Sequence, residues 1–128
     1  MLKFNSQIRY GLRAVLYLAK NESQASIREI SKAENIPADY LEKIMLDLKK
    51  SRIVKATRGQ TGGYSLAKKS ENLNLTQIFS ALDKNLSKTP CQGACLLKNT
   101  CQAKTVWQTI DQTFKQSLKQ IKLSQLIK

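Results

Sequence analysis

Along most of this chain the apolar residues recur every three or four positions, and in one short stretch they do not. From Ser6 to Lys20 the residues Ile8, Leu12, Val15, Leu16 and Ala19 fall at helical spacing, with Asn5 or Ser6 available to cap the first turn. Ser26 followed by Glu29 forms a capping box, in which each side chain can satisfy a free amide at a helix start, and Ile27 and Ile30 follow on the buried side. A short second helix is therefore expected from Ile27 to about Ala33. Asn35, Ile36 and Pro37 interrupt the pattern, and Pro37 suits a first helical turn. Leu41, Ile44, Met45 and Leu48 then mark a third helix ending near Lys50.

After Ser51 the period changes. Ile53, Val54, Ala56 and Thr57 read as a strand, the segment RGQTGG as a glycine-rich turn, and Tyr64, Ser65 and Leu66 as the returning strand. Leu75, Ile78, Phe79 and Leu82 supply a fourth apolar helical stripe, and the polar segment NLSKTP closes the unit. From about Gln102 onward Val106, Trp107, Ile110, Phe114, Leu118 and Ile121 line a helix too long and too apolar for so small a core to cover, so it is expected to pair with a second copy. These elements predict a mainly α fold: a winged helix-turn-helix with a small β-hairpin wing and a long C-terminal dimerisation helix. The expected divisions are a DNA-binding domain over 1–85, a cysteine-containing loop over 86–101, and a dimerisation helix and tail over 102–128.

Charge narrows the choice of partner. Among 128 residues, 22 Lys and Arg face 9 Asp and Glu, a formal net charge of +13, and such a field attracts polyanions before any contact forms. Double-stranded DNA is the leading partner. No apolar run reaches the roughly 18 to 20 residues that span a bilayer, and no signal-peptide pattern opens the chain, so a cytoplasmic protein without a membrane role is expected. Histidine is absent, which removes the commonest general base and every Cys-His metal site. With no phosphate-cradling loop or nucleophile elbow either, the chain reads as no enzyme.

All three cysteines, Cys91, Cys95 and Cys101, fall within CQGACLLKNTC, beside Pro90 and Gly93. Three thiolates converging from one loop can hold a soft metal or an iron-sulfur cluster, because sulfur donors select zinc, Cu(I) and Fe-S units over hard cations. A thiol redox switch, a zinc site, or incidental thiols on a basic protein-binding module are the alternatives at this point. An odd count without an export signal argues against a disulfide framework.

In the helix-turn-helix reading the third helix enters the major groove. If its apolar stripe faces the core, Asp39, Tyr40, Glu42, Lys43, Asp47 and Lys50 lie on the free sides. Lys43 and Tyr40 can donate to base edges or phosphates, and Glu42 can accept from a cytosine amine, acting as a specificity filter because it repels phosphate wherever it finds no donor. The wing turn of Arg58, Gly59, Gln60 and Thr61 is the second expected contact, with Arg58 entering a narrow minor groove where negative potential is enhanced. Arg28, Arg9, Lys3 and Lys55 are further candidates for phosphate contacts.

The segments RYGLRAVLYLA, IPADYLEKIMLDLKKSRIVKATRGQTGGYSLAK, CQGAC and KNTC, in this order before an apolar helix, resemble bacterial winged-helix regulators of the IscR, NsrR and CymR type across nearly the whole chain. The resemblance implies homodimers crossed through the long helix, with operator DNA bound by the third helix and the wing. It implies an iron-sulfur cluster, two-iron or four-iron, on Cys91, Cys95 and Cys101, and transcription switched by iron, oxygen or nitric oxide. Glu42 matches the helix-three glutamate through which IscR-like members change DNA preference, and Arg58 matches the wing arginine. Two positions depart from the pattern: Lys104 stands where the biogenesis regulators place a histidine ligand, and Arg9 where the nitric-oxide sensors place an aspartate. The interval from Cys91 to Cys95 is also short for the family. The resemblance thus leaves the fourth ligand and the cluster type open.

Overall fold

A computed structural model of the chain describes residues 4–22, 24–60, 62–83 and 100–127. Helix α1 spans Ser6–Asn21, and the Asn5 side chain accepts the Ile8 amide at 2.9 Å, so of the two expected caps Asn5 is used. Helix α2, Ile27–Glu34, opens with the predicted capping box, Ser26 and Glu29 each accepting the other's backbone amide. Asn35 closes α2 in the left-handed region at φ 54°, where its short polar side chain is tolerated. Helix α3 runs Ala38–Lys50, and Pro37 occupies the position just before it rather than its first turn. Its fixed φ presets the entry, while its missing amide costs nothing there.

Strands β1, Val54–Thr57, and β2, Gly63–Leu66, pair antiparallel with Val54 opposite Leu66 and Thr57 opposite Gly63. A third piece of extended chain joins them: the Ala25 amide donates to the Tyr64 carbonyl at 2.9 Å and the Tyr64 amide donates back at 2.8 Å. This bridge anchors the hairpin to the α1–α2 connection. It requires Gly63, since a Cβ there would lie 2.7 Å from the Ala25 carbonyl oxygen.

Helix α4, Leu75–Leu82, packs against α1, α3 and the long helix α5, Ala103–Gln120. The approach to α1 is close because Gly11 has no side chain; a Cβ at that position would meet Leu82 Cδ1 at 2.4 Å. The deep line of α1 is therefore Ile8, Gly11, Ala14, Val15, Leu18 and Ala19, with Leu12 and Leu16 only half-buried at its edge. Hydrophobic spacing alone places the stripe about one residue off, since small residues at a helix crossing carry little apolar signal.

The predicted stripe of α5 divides in two. Phe114, Leu118 and Ile121 pack into the core, and Phe114 stacks on Phe4 at 6.0 Å, which itself meets Phe79 edge-on at 5.5 Å. Val106 and Ile110 remain open, at 54% and 45% exposure. The expectation that the small core cannot cover this helix thus holds for its first half only. The chain after α5 turns back onto the domain: the Leu75 amide donates to Ile121, Leu123 donates to Leu73, and Leu123 is fully buried.

Candidate nucleic-acid interface and cysteine root

Two aromatic and polar clamps set the rotation of α3. Tyr40 meets Tyr10 of α1 edge-on at 5.5 Å, and the Arg13 guanidinium lies 5.9 Å over the Tyr10 ring. Arg13 in turn pairs with the Glu34 carboxylate at 3.5 Å and donates to the Glu34 backbone carbonyl, joining α1 to the end of α2. Farther along, the Gln7 side-chain amide donates to Asp47 at 3.3 Å. Tyr40 and Asp47 are consequently half-buried and turned toward α1, which corrects their expected placement on the free sides of the helix. The correction has a simple cause: at about 100° per residue both fall beside the core-facing stripe rather than opposite it.

The side of α3 that remains open carries Asp39, Glu42, Lys43, Leu46, Lys49 and Lys50, all exposed. Leu46 is a functional candidate of this face that is absent from the expected contacts. Its signal was available: it is the apolar residue of this helix that departs from the period of Leu41, Ile44, Met45 and Leu48.

From Arg52 to Lys69 the wing region bears Arg52, Lys55, Arg58, Lys68 and Lys69 and no carboxylate. All five cations are exposed, and none forms an ion pair among the described residues. Arg58 follows β1 directly, and Gly59 turns the chain at φ 115°, a conformation that favours glycine. Gln60 is exposed beside it, while Thr61 lies outside the described residues. The turn end of the hairpin is also tied to the α1–α2 connection by a hydrogen bond from the Gln24 side-chain amide to the Thr57 hydroxyl at 3.1 Å. Arg28 is exposed on α2 and Arg9 on α1; Lys3 lies outside the described residues. An exposed, mostly charged face of α3 and a separate set of exposed cations on and around the hairpin thus stand on the same core.

Of the three cysteines, Cys91 and Cys95 lie outside the described residues. Cys101 stands two residues before α5, half-buried, with its thiol free. The Lys104 amide donates to the Cys101 carbonyl at 3.3 Å, a bond that ties the cysteine to the first turn of the helix. Among the described residues no three Cys, Asp or Glu side chains converge as a metal site. None of the helices described is long and apolar enough to cross a membrane.

Comparison with known proteins gives a consistent result. The Synechocystis sp. protein slr0846, by its name a candidate HTH-type transcriptional regulator, is 34% identical over 98% of this chain and 87% of its own. The HTH-type transcriptional regulator IscR of Pectobacterium atrosepticum is 29% identical over 98% of this chain and 79% of its own. Among solved structures, CymR of B. subtilis matches with a TM-score of 0.83 at 28% identity, covering 98% of this chain and 96% of that one. IscR of T. potens matches with a TM-score of 0.78 at 25% identity, over 98% and 85% of the two chains. The winged helix-turn-helix architecture is that of these regulators. The model of the family described as "Rrf2: Iron-dependent Transcriptional regulator" matches residues 4–128, so this chain belongs to the Rrf2 family of transcriptional regulators, which are not enzymes.

Proposed function

We propose that the chain binds promoter DNA as a homodimer in the cytoplasm, with the open face of α3 in the major groove and Arg58 of the wing in the adjacent minor groove. The observation that carries this reading is the uncompensated charge from Arg52 to Lys69 beside an exposed α3 face. Free cations near a polyanion release condensed counterions, a gain that cations already paired with carboxylates do not provide. Glu42 and Lys43 stand within the same face and supply an acceptor and a donor for base edges.

Dimerisation is assigned to the open side of α5. Val106 and Ile110 lie there beside Thr109, Thr113 and Ser117, whose hydroxyls donate to carbonyls one turn earlier at 2.8, 2.8 and 3.0 Å. Those internal bonds satisfy the hydroxyls, so the face can be buried against a second copy without leaving donors unpaired.

The proposed ligand of Cys91, Cys95 and Cys101 is an iron-sulfur cluster, two-iron in preference to four-iron. The donor set fits such a group: three thiols, no histidine in the chain, and a free, half-buried Cys101 at the root of α5. When bound, the cluster supplies redox and nitric-oxide reactivity. The fourth position falls to a carboxylate, an oxygen donor, water or an exogenous thiol, since Lys104 and Arg9 replace the expected ligands. In this reading, a displacement of the Cys101 backbone would pass through α5 to α4, which packs on both α5 and α3. Such a switch needs different DNA affinities in the two states, on the scale of about 1 to 3 kcal/mol.

A second reading draws on the likeness to CymR, described as the global cysteine regulator of B. subtilis: the same fold with the cysteines serving as a thiol switch or a zinc site. Reconstitution without air separates the two. The cluster reading expects bound iron and sulfide and a visible charge-transfer absorption that Cys91→Ala abolishes. An unchanged spectrum in the variant refutes the ligand assignment, and zinc or bare thiols with normal regulation supports the second reading.

A further inference from the structure

Leu46 is 50% exposed in the middle of α3, while Leu41, Ile44, Met45 and Leu48 of the same helix are completely buried. At about 100° per residue it lies on the outward line of α3 with Asp39, Lys43 and Lys50, nearly opposite the core. Its neighbours one turn away in either direction are Glu42, Lys43, Lys49 and Lys50, all exposed and all charged. The other large exposed apolar side chains among the described residues, Val106, Ile110 and Leu126, belong to α5 and the tail. Leu46 is therefore an isolated apolar group ringed by charge, not part of a patch large enough to dock a protein.

We propose that Leu46 is a specificity determinant that packs on the C5-methyl of a thymine in each half-site of the operator. This rests on the reading that α3 enters the major groove. The two groups match chemically: among the base-edge features of the major groove the thymine methyl is the apolar one, and the rest are hydrogen-bond donors and acceptors. Lys43, one turn earlier on the same line, addresses a neighbouring base pair or phosphate. Lys49 and Lys50, one turn later, face the backbone, so charged groups hold the helix at both ends while Leu46 meets the floor between them. Any other base edge beneath Leu46 would lose its water and gain no partner, which makes the residue discriminate against cytosine and the purines as well as favour thymine.

The test begins with selection of a duplex from randomised sequences by the full-length protein. Each thymine of the selected site is then replaced, symmetrically in both half-sites, by deoxyuridine, which removes only the methyl group, and affinity is read by fluorescence anisotropy. At one thymine position the parent should bind about fourfold more weakly per half-site, the equivalent of one methyl-sized group left unburied. Leu46→Ala should bind the thymine and deoxyuridine duplexes equally, whereas Leu46→Met, which keeps an apolar tip, should retain the preference. Circular-dichroism melts should match the parent for both variants, as the residue is half exposed. If no thymine position is sensitive, or if the sensitive position stays sensitive in Leu46→Ala, the assignment is overturned while DNA binding by α3 stands. If no duplex is selected at all, the α3 reading falls and the assignment falls with it.

Discussion

Replacing Gly63 by alanine probes the joint on which the wing is mounted. The new Cβ would lie 2.7 Å from the Ala25 carbonyl oxygen and 2.8 Å from its carbon, and 3.1 Å from the Ser26 amide nitrogen. These atoms are backbone, so no rotamer change relieves the clash. Either the α1–α2 connection moves away or β2 does, and both movements break the paired hydrogen bonds between Ala25 and Tyr64 at 2.9 and 2.8 Å. Overpacking of this kind costs about 1 to 3 kcal/mol, and two broken hydrogen bonds add about 1 kcal/mol together at the low end of their net range. A total of about 2 to 4 kcal/mol follows, or a fall in Tm of about 8 to 16 °C for a chain of this size. Thermal melts give the magnitude, and amide hydrogen exchange gives the location. The Tyr64 and Ala25 amides should lose protection in Gly63→Ala while the α1 and α4 amides keep theirs, and the exposed control Gln60→Ala should melt like the parent. Operator affinity should fall as well, because a detached hairpin no longer holds Arg58 in one place. A variant that melts within about 1 °C of the parent, a shift well below that expected for even 1 kcal/mol, with unchanged protection at Tyr64 would refute the bridge as the anchor of the wing.

Four further outcomes are expected. Arg58→Ala should weaken operator binding and reduce the slope of log affinity against log salt by about 0.9 for each phosphate that is no longer neutralised, measured by anisotropy across a salt series; Lys43→Ala should act mainly through one or two base pairs or phosphates. Ser26→Ala removes the side-chain acceptor of the Glu29 amide, seen at 3.1 Å, and should cost about 1 kcal/mol in urea denaturation without changing the oligomeric state. Ile110→Asp places a charge on the open face of α5 and should yield a folded monomer in sedimentation velocity, whereas a dimer of unchanged stability would remove α5 from the interface.

Much of this architecture could be read from residue order because local signals and the global fold agree. The Ser26–Glu29 box, the break at Asn35–Pro37 and the change of period after Ser51 each mark an element boundary that the structure keeps. What escaped was decided by packing between elements distant in sequence. Gly11 is a close-approach point to Leu82, and nothing within its own helix announces that. Tyr40 and Asp47 look like free polar positions until α1 supplies Tyr10 and Gln7 as their partners. The third strand piece at Ala25 is a single bridging residue, too short to leave a periodic trace. For the candidate site, the type of Cys91, Cys95 and Cys101 states the donor chemistry, but spacing along a chain does not specify what would complete the proposed cluster's ligand set.

In the proposed function, a cluster on the three cysteines sets the grip of α3 and the wing on DNA. Its most direct measurement is operator affinity of one anaerobic preparation, titrated before and after the iron is removed by chelation, with iron and sulfide counted in both samples. Iron and sulfide are expected in the first sample, with a change in affinity of about fivefold or more once they are removed. Cys101→Ala should abolish both the iron content and the affinity change. Equal affinity with and without iron, or regulation by a protein that never carries it, would contradict the claim.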